Sequence, residues 1–346
     1  MLSFTLQIID IRTETNDTVT ICFKQPSLKK IKYLPGQYLT LVFRINGRKY
    51  NRPYSFSSAP GADPYLEVTI KRVNGGVVSN HIIDFVKIGD LIEVLPPLGD
   101  FIFDPALISS DKHIILWGAG SGITPLISIV KYILHHKTGN KITLIYGNRD
   151  SESVIFKDKI AELRKKHHED LETYHFHSRL SISENNPDVI EGRISPAKVL
   201  SIMKHEVDLQ NTIHYICGPT GLKESVKGVL QDLAVTPSQI FSEDFEVVLN
   251  QKDFENITTQ IVEITKDGVI NKVEVVKGRS MLDAGLDAGI DIDYSCQTGS
   301  CLVCKAKLLA GEVKMPKPVE EYEKLLPGEC LLCCSYPLTG NVHVSI

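Results

Sequence analysis

Excess positive charge is missing from this sequence. Its 38 lysines and arginines stand against 42 aspartates and glutamates in 346 residues, a formal net charge of −4. That excludes the basic footprint of a nucleic-acid-binding domain, and no block of like charge forms an acidic tail. Long apolar runs are missing too. No stretch reaches the ~18 apolar residues of a membrane span, and the Met1 segment lacks the basic start and apolar run of a secretory leader. Internal repeats and low-complexity tracts are absent. These absences predict a cytoplasmic protein with no nucleic-acid and no membrane partner. In such a compartment the eight cysteines are expected as thiols or metal ligands rather than disulfides. What is there is an ordinary globular composition, 42% apolar and 23% charged. The length suits about two to three domains, each large enough to bury a core.

The hydrophobic period divides the chain into three blocks and a linker. Over residues 1–105, β-rich runs such as Thr18–Phe23, Tyr38–Phe43 and Tyr65–Ile70 are separated by Pro35-Gly36, Asn46-Gly47 and Pro60-Gly61, which predicts an antiparallel barrel or sandwich. Over 106–249 strands alternate with helices. Ile114–Trp117 is followed by a glycine-rich turn, with Thr124-Pro125 as N-cap and first-turn pair, then Leu126, Val130, Ile133 and Leu134 at helical spacing. Strands near 142–146, 172–177 and 213–216 and helices at about 153–166, from Pro196 and from Pro219 continue the pattern of an open parallel sheet. Residues 250–256 are polar and aperiodic and read as a linker. A third domain spans 257–346, with strands at 259–265 and 270–276 and a helix near 281–288.

That third domain carries Cys296, Cys301 and Cys304 in a C-x4-C-x2-C loop, the plant-type [2Fe–2S] spacing. Gly299 allows the loop to turn, and the amides of residues 297–303 are placed to point at sulfur. Zinc sites usually use paired C-x2-C knuckles, and the loop holds one such pair. For a fourth ligand Cys330, Cys333 and Cys334 compete. Elsewhere, Arg52-Pro53-Tyr54-Ser55 ends a strand of the first block. Gly75, Gly76, Val77, Val78 and Ser79 form a turn with a helix expected from about Ser79, whose amides and hydroxyl suit a pyrophosphate. Gly118, Gly120, Gly122, Thr124 and Pro125 form a glycine-rich strand-to-helix turn, the backbone cradle of a dinucleotide. Cys217, Gly218 and Pro219 follow a strand at its carboxyl end, and Glu243 and Phe245 follow the last strand of the block. Paired histidines at 135–136 and 167–168, and His175 and His177, fall at helix ends or along an edge strand and are assigned no metal.

Together these motifs resemble the ferredoxin–NADP⁺ reductase superfamily, over nearly the whole chain. In their order, with the cysteine domain last, they are similar to the oxygenase reductases typified by the reductase subunit of phenylacetyl-CoA epoxidase. The resemblance implies a multi-domain β and α/β protein: an antiparallel β-barrel flavin domain, a parallel-sheet nucleotide-binding domain and a β-grasp ferredoxin domain. It implies that Arg52, Pro53, Tyr54, Ser55 and residues 75–79 bind flavin, FAD in preference to FMN. It places NAD(P)H at Gly118–Pro125 and Cys217–Pro219, with Ser55, Cys217 and Glu243 around the hydride path and Phe245 near the flavin. Arg149 and Arg179 both follow strands on the expected binding side, where an arginine can meet a 2′-phosphate, and Ser178-Arg179 resembles the NADP-type members, favouring NADPH over NADH. Tyr336-Pro337 points to Cys333 as the fourth ligand. Two positions depart from the pattern: Leu302 stands where glycine is common, and Thr220 where an acidic residue is common. The implied activity is electron transfer from NAD(P)H through FAD and a [2Fe–2S] cluster to an oxygenase. Alternatives are a freestanding reductase of a ferredoxin, flavodoxin or haem protein, and a non-catalytic electron-carrier module.

Overall fold

The computed structural model describes residues 2–26, 30–179, 189–204, 206, 208–245, 254–315 and 325–346. The chain forms two compact units. One comprises residues 2–43 and 53–244, and the other joins residues 44–52 to 245–346.

Strands β1 (Phe4–Thr15), β2 (Thr18–Phe23), β3 (Tyr38–Ile45), β4 (Arg48–Ser55), β5 (Leu66–Lys71) and β6 (Leu91–Leu98) form an antiparallel sheet of order β4-β3-β6-β1-β2-β5, of which the strand residues at 44–52 are counted with the smaller unit and the rest with the larger. Phe56 bridges Val68 of β5, bringing the end of β4 to the opposite edge and closing the sheet. Asn46 and Gly47, with φ of 51° and 78°, form the two-residue turn between β3 and β4, as left-handed Asn-Gly hairpin turns require. Helix α1 (Val77–Phe85) starts two residues before the expected Ser79, because Gly76 is its N-cap.

The parallel sheet runs β7 (His113–Ala119), β8 (Ile142–Asn148), β9 (Leu171–His177), β10 (Val189–Glu191), β11 (Thr212–Cys217) and β12 (Ile240–Glu243), in the order β10-β9-β8-β7-β11-β12. Its helices are α2 (Ile123–His136), α3 (Lys157–Lys166), α4 (Pro196–Met203) and α5 (Thr220–Asp232). The apolar stripe predicted on α2 is buried. Residues 151–153 are a 3₁₀ turn capped by Asp150, and the helix expected from about residue 153 begins at Lys157. Strand β10 lies outside β9, so β9 is not the edge that its alternating histidines suggest, and His177 is only 3% exposed. Trp117 donates through Nε1 to Nδ1 of buried His214 at 3.2 Å.

Barrel and parallel sheet share one unit because polar side chains of α2 reach barrel loops. Ser128 Oγ donates to the Ser58 carbonyl at 2.6 Å, and the nearly buried Lys131 ammonium pairs with Asp63 at 2.7 Å and Glu67 at 3.4 Å. Breaking one partner of such a shielded pair costs far more than at an exposed surface.

In the smaller unit, β13 (Gln260–Lys266), β14 (Val269–Val275), β15 (Lys305–Ala310), β17 (Glu329–Leu331) and β19 (His343–Ser345) make a mixed sheet of order β14-β13-β19-β15-β17, with β13 and β19 parallel. Strands β16 (Val313–Lys314) and β18 (Tyr336–Pro337) pair separately. Helix α6 (Met281–Asp287) is capped by Ser280, whose Oγ accepts from the Asp283 amide at 3.1 Å. Of the expected linker, residues 250–253 lie outside the described residues, and Phe254 packs edge-on against Tyr336. Among the described residues no helix is long and apolar enough to cross a membrane.

Candidate functional site

Strands β7 and β11 are parallel neighbours with Gly118 opposite Cys217. Successive strands run one way from β7 and the other way from β11, so this is the switch point where open α/β sheets bind ligands. The two loops that leave it interlock. A Cβ on Gly122 would lie 2.1 Å from the Cys217 carbonyl oxygen, and one on Gly218 would lie 3.2 Å from the Ala119 nitrogen. Gly122 and Gly218 thus bring the two loops into backbone contact at the carboxyl ends of β7 and β11, beside Gly118 and Cys217. Thr124 is not the helix cap that its sequence suggests. A 3₁₀ turn over Gly120–Gly122 brings the chain into helical geometry early, so α2 is capped by Gly122, with Thr124 and Pro125 buried in its first turn. The Thr124 hydroxyl donates to the Ser121 carbonyl at 3.0 Å. No side chain among the described residues caps α2, whose Ile123 amide turns back to the Gly120 and Ser121 carbonyls, and the positive end of the helix favours an anion.

Arg149 and Arg179 leave the carboxyl ends of β8 and β9, and both are exposed. Their backbones are joined, the Arg179 amide donating to the Arg149 carbonyl at 2.7 Å. Two guanidinium groups rooted side by side can grip a phosphate from one edge.

The three residues expected on the hydride path come together. Ser55 is 5% exposed and donates through Oγ to Glu243 Oε2 at 3.4 Å, and Glu243 is the β-partner of Cys217. Burial pushes the Cys217 thiol well up, and the charges of Glu243 and Asp244 push it further. Cys217 is therefore neutral at neutral pH and does not offer a thiolate nucleophile. Lys223 pairs with Asp244 at 2.5 Å, anchoring the segment that carries Glu243. Tyr54 is half-buried before Ser55, whereas Phe245 is exposed and belongs to the other unit.

In the second flavin motif, Gly76 caps α1 without any side-chain bond, and the Val73 amide donates to Ser79 Oγ at 3.1 Å. First-turn amides at Val77 and Val78, with no side-chain cap and beside a serine hydroxyl, fit a pyrophosphate. Arg52 differs from its expected setting. It lies in the smaller unit, and its Nη1 donates to the Asn51 carbonyl at 2.8 Å and to Gln297 Oε1 at 2.6 Å. Its Nη2 and Nε donors are not used in those bonds.

The cysteine loop is built differently. Cys296, Cys304 and Cys333 are buried and Cys301 is partly exposed. The Cys296 thiol lies within reach of those of Cys301 and Cys333, and the Cys333 thiol within reach of those of Cys304 and Cys334. The amides of Thr298 and Cys301 each lie 3.4 Å from Cys296 Sγ. Cys330 instead bonds to Ser335 and is pushed up to about 12 by burial. Among the described residues no group of three or more His, Cys, Asp or Glu is arranged around a single metal ion. Four soft donors around a shared space, with amides aimed at sulfur, fit a two-iron cluster, whose irons each take two thiolates. The sequence did not single out Tyr294, Gln297 and Asn51, which hold this loop; only the nearness of Tyr294 and Gln297 to Cys296 hinted at them.

Comparisons with known proteins follow the same division. Residues 5–103 match the oxidoreductase FAD-binding domain, 116–228 the oxidoreductase NAD-binding domain, and 264–338 the 2Fe-2S iron-sulfur cluster binding domain. The chain is 31% identical over 353 residues to one of the subunits of 1,2-phenylacetyl-CoA epoxidase from Escherichia coli K12, across 98% of this chain and 96% of that protein. It is 31% identical over 360 residues to the ferredoxin reductase component of 3-ketosteroid-9-alpha-monooxygenase from Rhodococcus rhodochrous, across 99% and 96%. The solved structure of phthalate dioxygenase reductase shares the fold, with a TM-score of 0.70 and 22% identity over 99% of this chain and 98% of that one.

Proposed function

The chain belongs to the ferredoxin–NADP⁺ reductase superfamily, as an NAD(P)H-dependent oxidoreductase whose FAD- and NAD-binding domains precede a [2Fe–2S] domain, and from that premise we propose that it is the electron-supplying component of a multicomponent oxygenase. Bound FAD supplies the exchange between a two-electron hydride and single electrons, and the cluster supplies a one-electron exit. The chain's own residues bind and orient. The cleft around Gly122 and the first turn of α2 hold the nucleotide pyrophosphate, and Arg149 with Arg179 holds a 2′-phosphate, which favours NADPH. Tyr54 and residues 75–79 hold the flavin. Ser55 presents its hydroxyl to the hydride-accepting end, Glu243 fixes that hydroxyl, and neutral Cys217 shapes the nicotinamide seat. Cys296, Cys301, Cys304 and Cys333 ligate the cluster.

The observation that carries this reading is the convergence of Ser55, Cys217 and Glu243 at the switch point of a chain that also gathers four cysteine side chains elsewhere. The oxygenase partner is supported by two full-length relatives that are named as components of an epoxidase and a monooxygenase. Eight free cysteines support a cytoplasmic setting.

The test is anaerobic titration of the purified protein with NADPH and with NADH, followed by visible absorption and electron paramagnetic resonance. Flavin bleaching followed by a reduced-cluster signal is expected, and bleaching with no such signal would sink the fused relay. Arg149→Ala and Arg179→Ala should each raise KM for NADPH about tenfold or more, the ~1.4 kcal/mol of a charge-assisted bond, and leave KM for NADH nearly unchanged. Equal effects on both nucleotides would remove the NADPH assignment. Faster electron delivery to free ferredoxin or cytochrome than to an oxygenase component would favour a freestanding reductase.

A further inference from the structure

Residues 44–52 pack as part of the cysteine domain although they lie some two hundred positions earlier in the chain. Their outer contacts are ordinary surface ion pairs, Arg48 with Asp287 at 2.5 Å and Asp283 at 3.6 Å, and Lys49 with Asp291 at 3.5 Å. Such pairs contribute little in water. The inner contacts are of another kind. Asn51 is 2% exposed and Tyr294 is 1% exposed. The Asn51 amide donates to Tyr294 Oη at 2.9 Å, Asn51 Nδ2 donates to the Tyr294 carbonyl at 2.8 Å, and Arg52 donates to Gln297 Oε1 at 2.6 Å. Consecutive residues of β4 therefore hold the chain two positions before Cys296 and one position after it.

The second hold falls where the backbone is strained. Gln297 has φ of +58°, the left-handed region that non-glycine residues rarely occupy. That conformation reverses the chain directly after Cys296 and turns the Thr298 amide onto Cys296 Sγ at 3.4 Å, alongside the Cys301 amide. A charge-assisted bond from Arg52 stabilises the side chain of the residue that makes this turn. Amide hydrogen bonds to a ligating sulfur draw charge from it and raise the potential of the metal centre.

We propose that Asn51 and Arg52 are positioning residues for the Cys296 ligand: by gripping Tyr294 and Gln297 they fix the turn that aims two backbone amides at its sulfur, and so tune the potential of the cluster. The inference rests on these cysteines holding the cluster. Packing of one surface patch on another would need neither a left-handed glutamine nor a buried asparagine whose Oδ1 finds no partner.

The test uses the full-length, cluster-loaded protein and Gln297→Ala, Gln297→Gly and Tyr294→Phe. The measurements are a potentiometric titration of the cluster by electron paramagnetic resonance and the rate of iron loss to a chelator. Gln297→Ala should lower the reduced-to-oxidised ratio at a fixed potential about threefold, about 28 mV at 59 mV per tenfold for a one-electron couple. It should also speed iron loss several-fold. Gln297→Gly, free to adopt the left-handed turn, should lose less than Gln297→Ala. Tyr294→Phe, which removes the acceptor of the Asn51 amide, should shift the potential in the same direction. Wild-type potentials in all three loaded variants would overturn the proposal. Wild-type protein that takes up iron and sulfide without a cluster signal would instead remove the ligand assignment itself. A variant that also loses flavin has failed to fold, and the other two variants then decide the outcome.

Discussion

In the nucleotide-binding region the working groups are main chain: interlocked glycine loops, the positive end of α2 and a carbonyl packed where no Cβ fits. At the cysteine site they are side chains, three thiols carried on a loop that bends through left-handed residues at Gln297 and Leu302 and a fourth, Cys333, from a later turn. The difference teaches what each site tolerates. A backbone site is damaged by adding atoms and is indifferent to many exchanges of polar side chains. A side-chain site is destroyed by one changed donor atom, while its backbone accepts strain because the neighbouring contacts hold it.

The sharpest break of that contrast is Cys301→Ser or Cys304→Ser. Each should abolish the cluster signal while flavin content and NAD(P)H-driven flavin bleaching persist; loss of flavin as well would show that the two sites do not fold independently. Next is Gly122→Ala, whose added methyl meets the Cys217 carbonyl. It should destabilise the protein by about 1–3 kcal/mol, as overpacking does, and raise the nucleotide Kd tenfold or more (~1.4 kcal/mol). Unchanged calorimetric affinity would show that the cleft yields more easily than its geometry states.

Acid should strike the unit carrying the backbone cleft in a defined window. Burial, and then the charge of His113, lowers the His214 pKa from 6.5 to about 3. Folded His214 thus stays neutral while the unfolded imidazole takes up a proton, so stability is lost as pH falls from 6.5 towards 3. Between pH 7 and pH 5 the loss should be about 2 kcal/mol, read as a falling urea midpoint, and His214→Gln should flatten it. The smallest effect is expected from Leu302→Gly. Leu302 has φ of +59°, a conformation that costs a side-chain-bearing residue about 1–2 kcal/mol. Relief of that strain, offset by the lost packing of a half-buried side chain, should stabilise the loop by less than about 1 kcal/mol in thermal release of the cluster. A loss of stability would mean that packing outweighs strain there.

Much of the fold was legible because it follows from local rules. The apolar stripe of α2, the turn at Asn46-Gly47 and the strand ending at Cys217 lie where pattern and turn chemistry put them. Sequence and structure part where tertiary contacts override local preference. Thr124 is a good N-cap by type, yet the approach of Gly122 to Cys217 starts the helix earlier. The histidines of β9 alternate like those of an edge strand, yet β10, across a long connection, covers that edge. Leu302 departs by type from a glycine position, and its left-handed φ explains why glycine suits it.

By itself the sequence determined which thiols stand at plant-type cluster spacing and where a glycine-rich turn meets a helix, while the sharing of hydride and one-electron sites by one chain came from the resemblance of its motifs to a known family. The first two follow from residue type and short spacing, which local covalent geometry preserves. Only the tertiary structure decided the partners across long separations. It paired Ser55 with Glu243 and Gly122 with Cys217, and it joined Asn51 and Arg52 to the loop around Cys296. Such contacts depend on how whole strands are ordered and registered, and no short stretch of sequence contains that information.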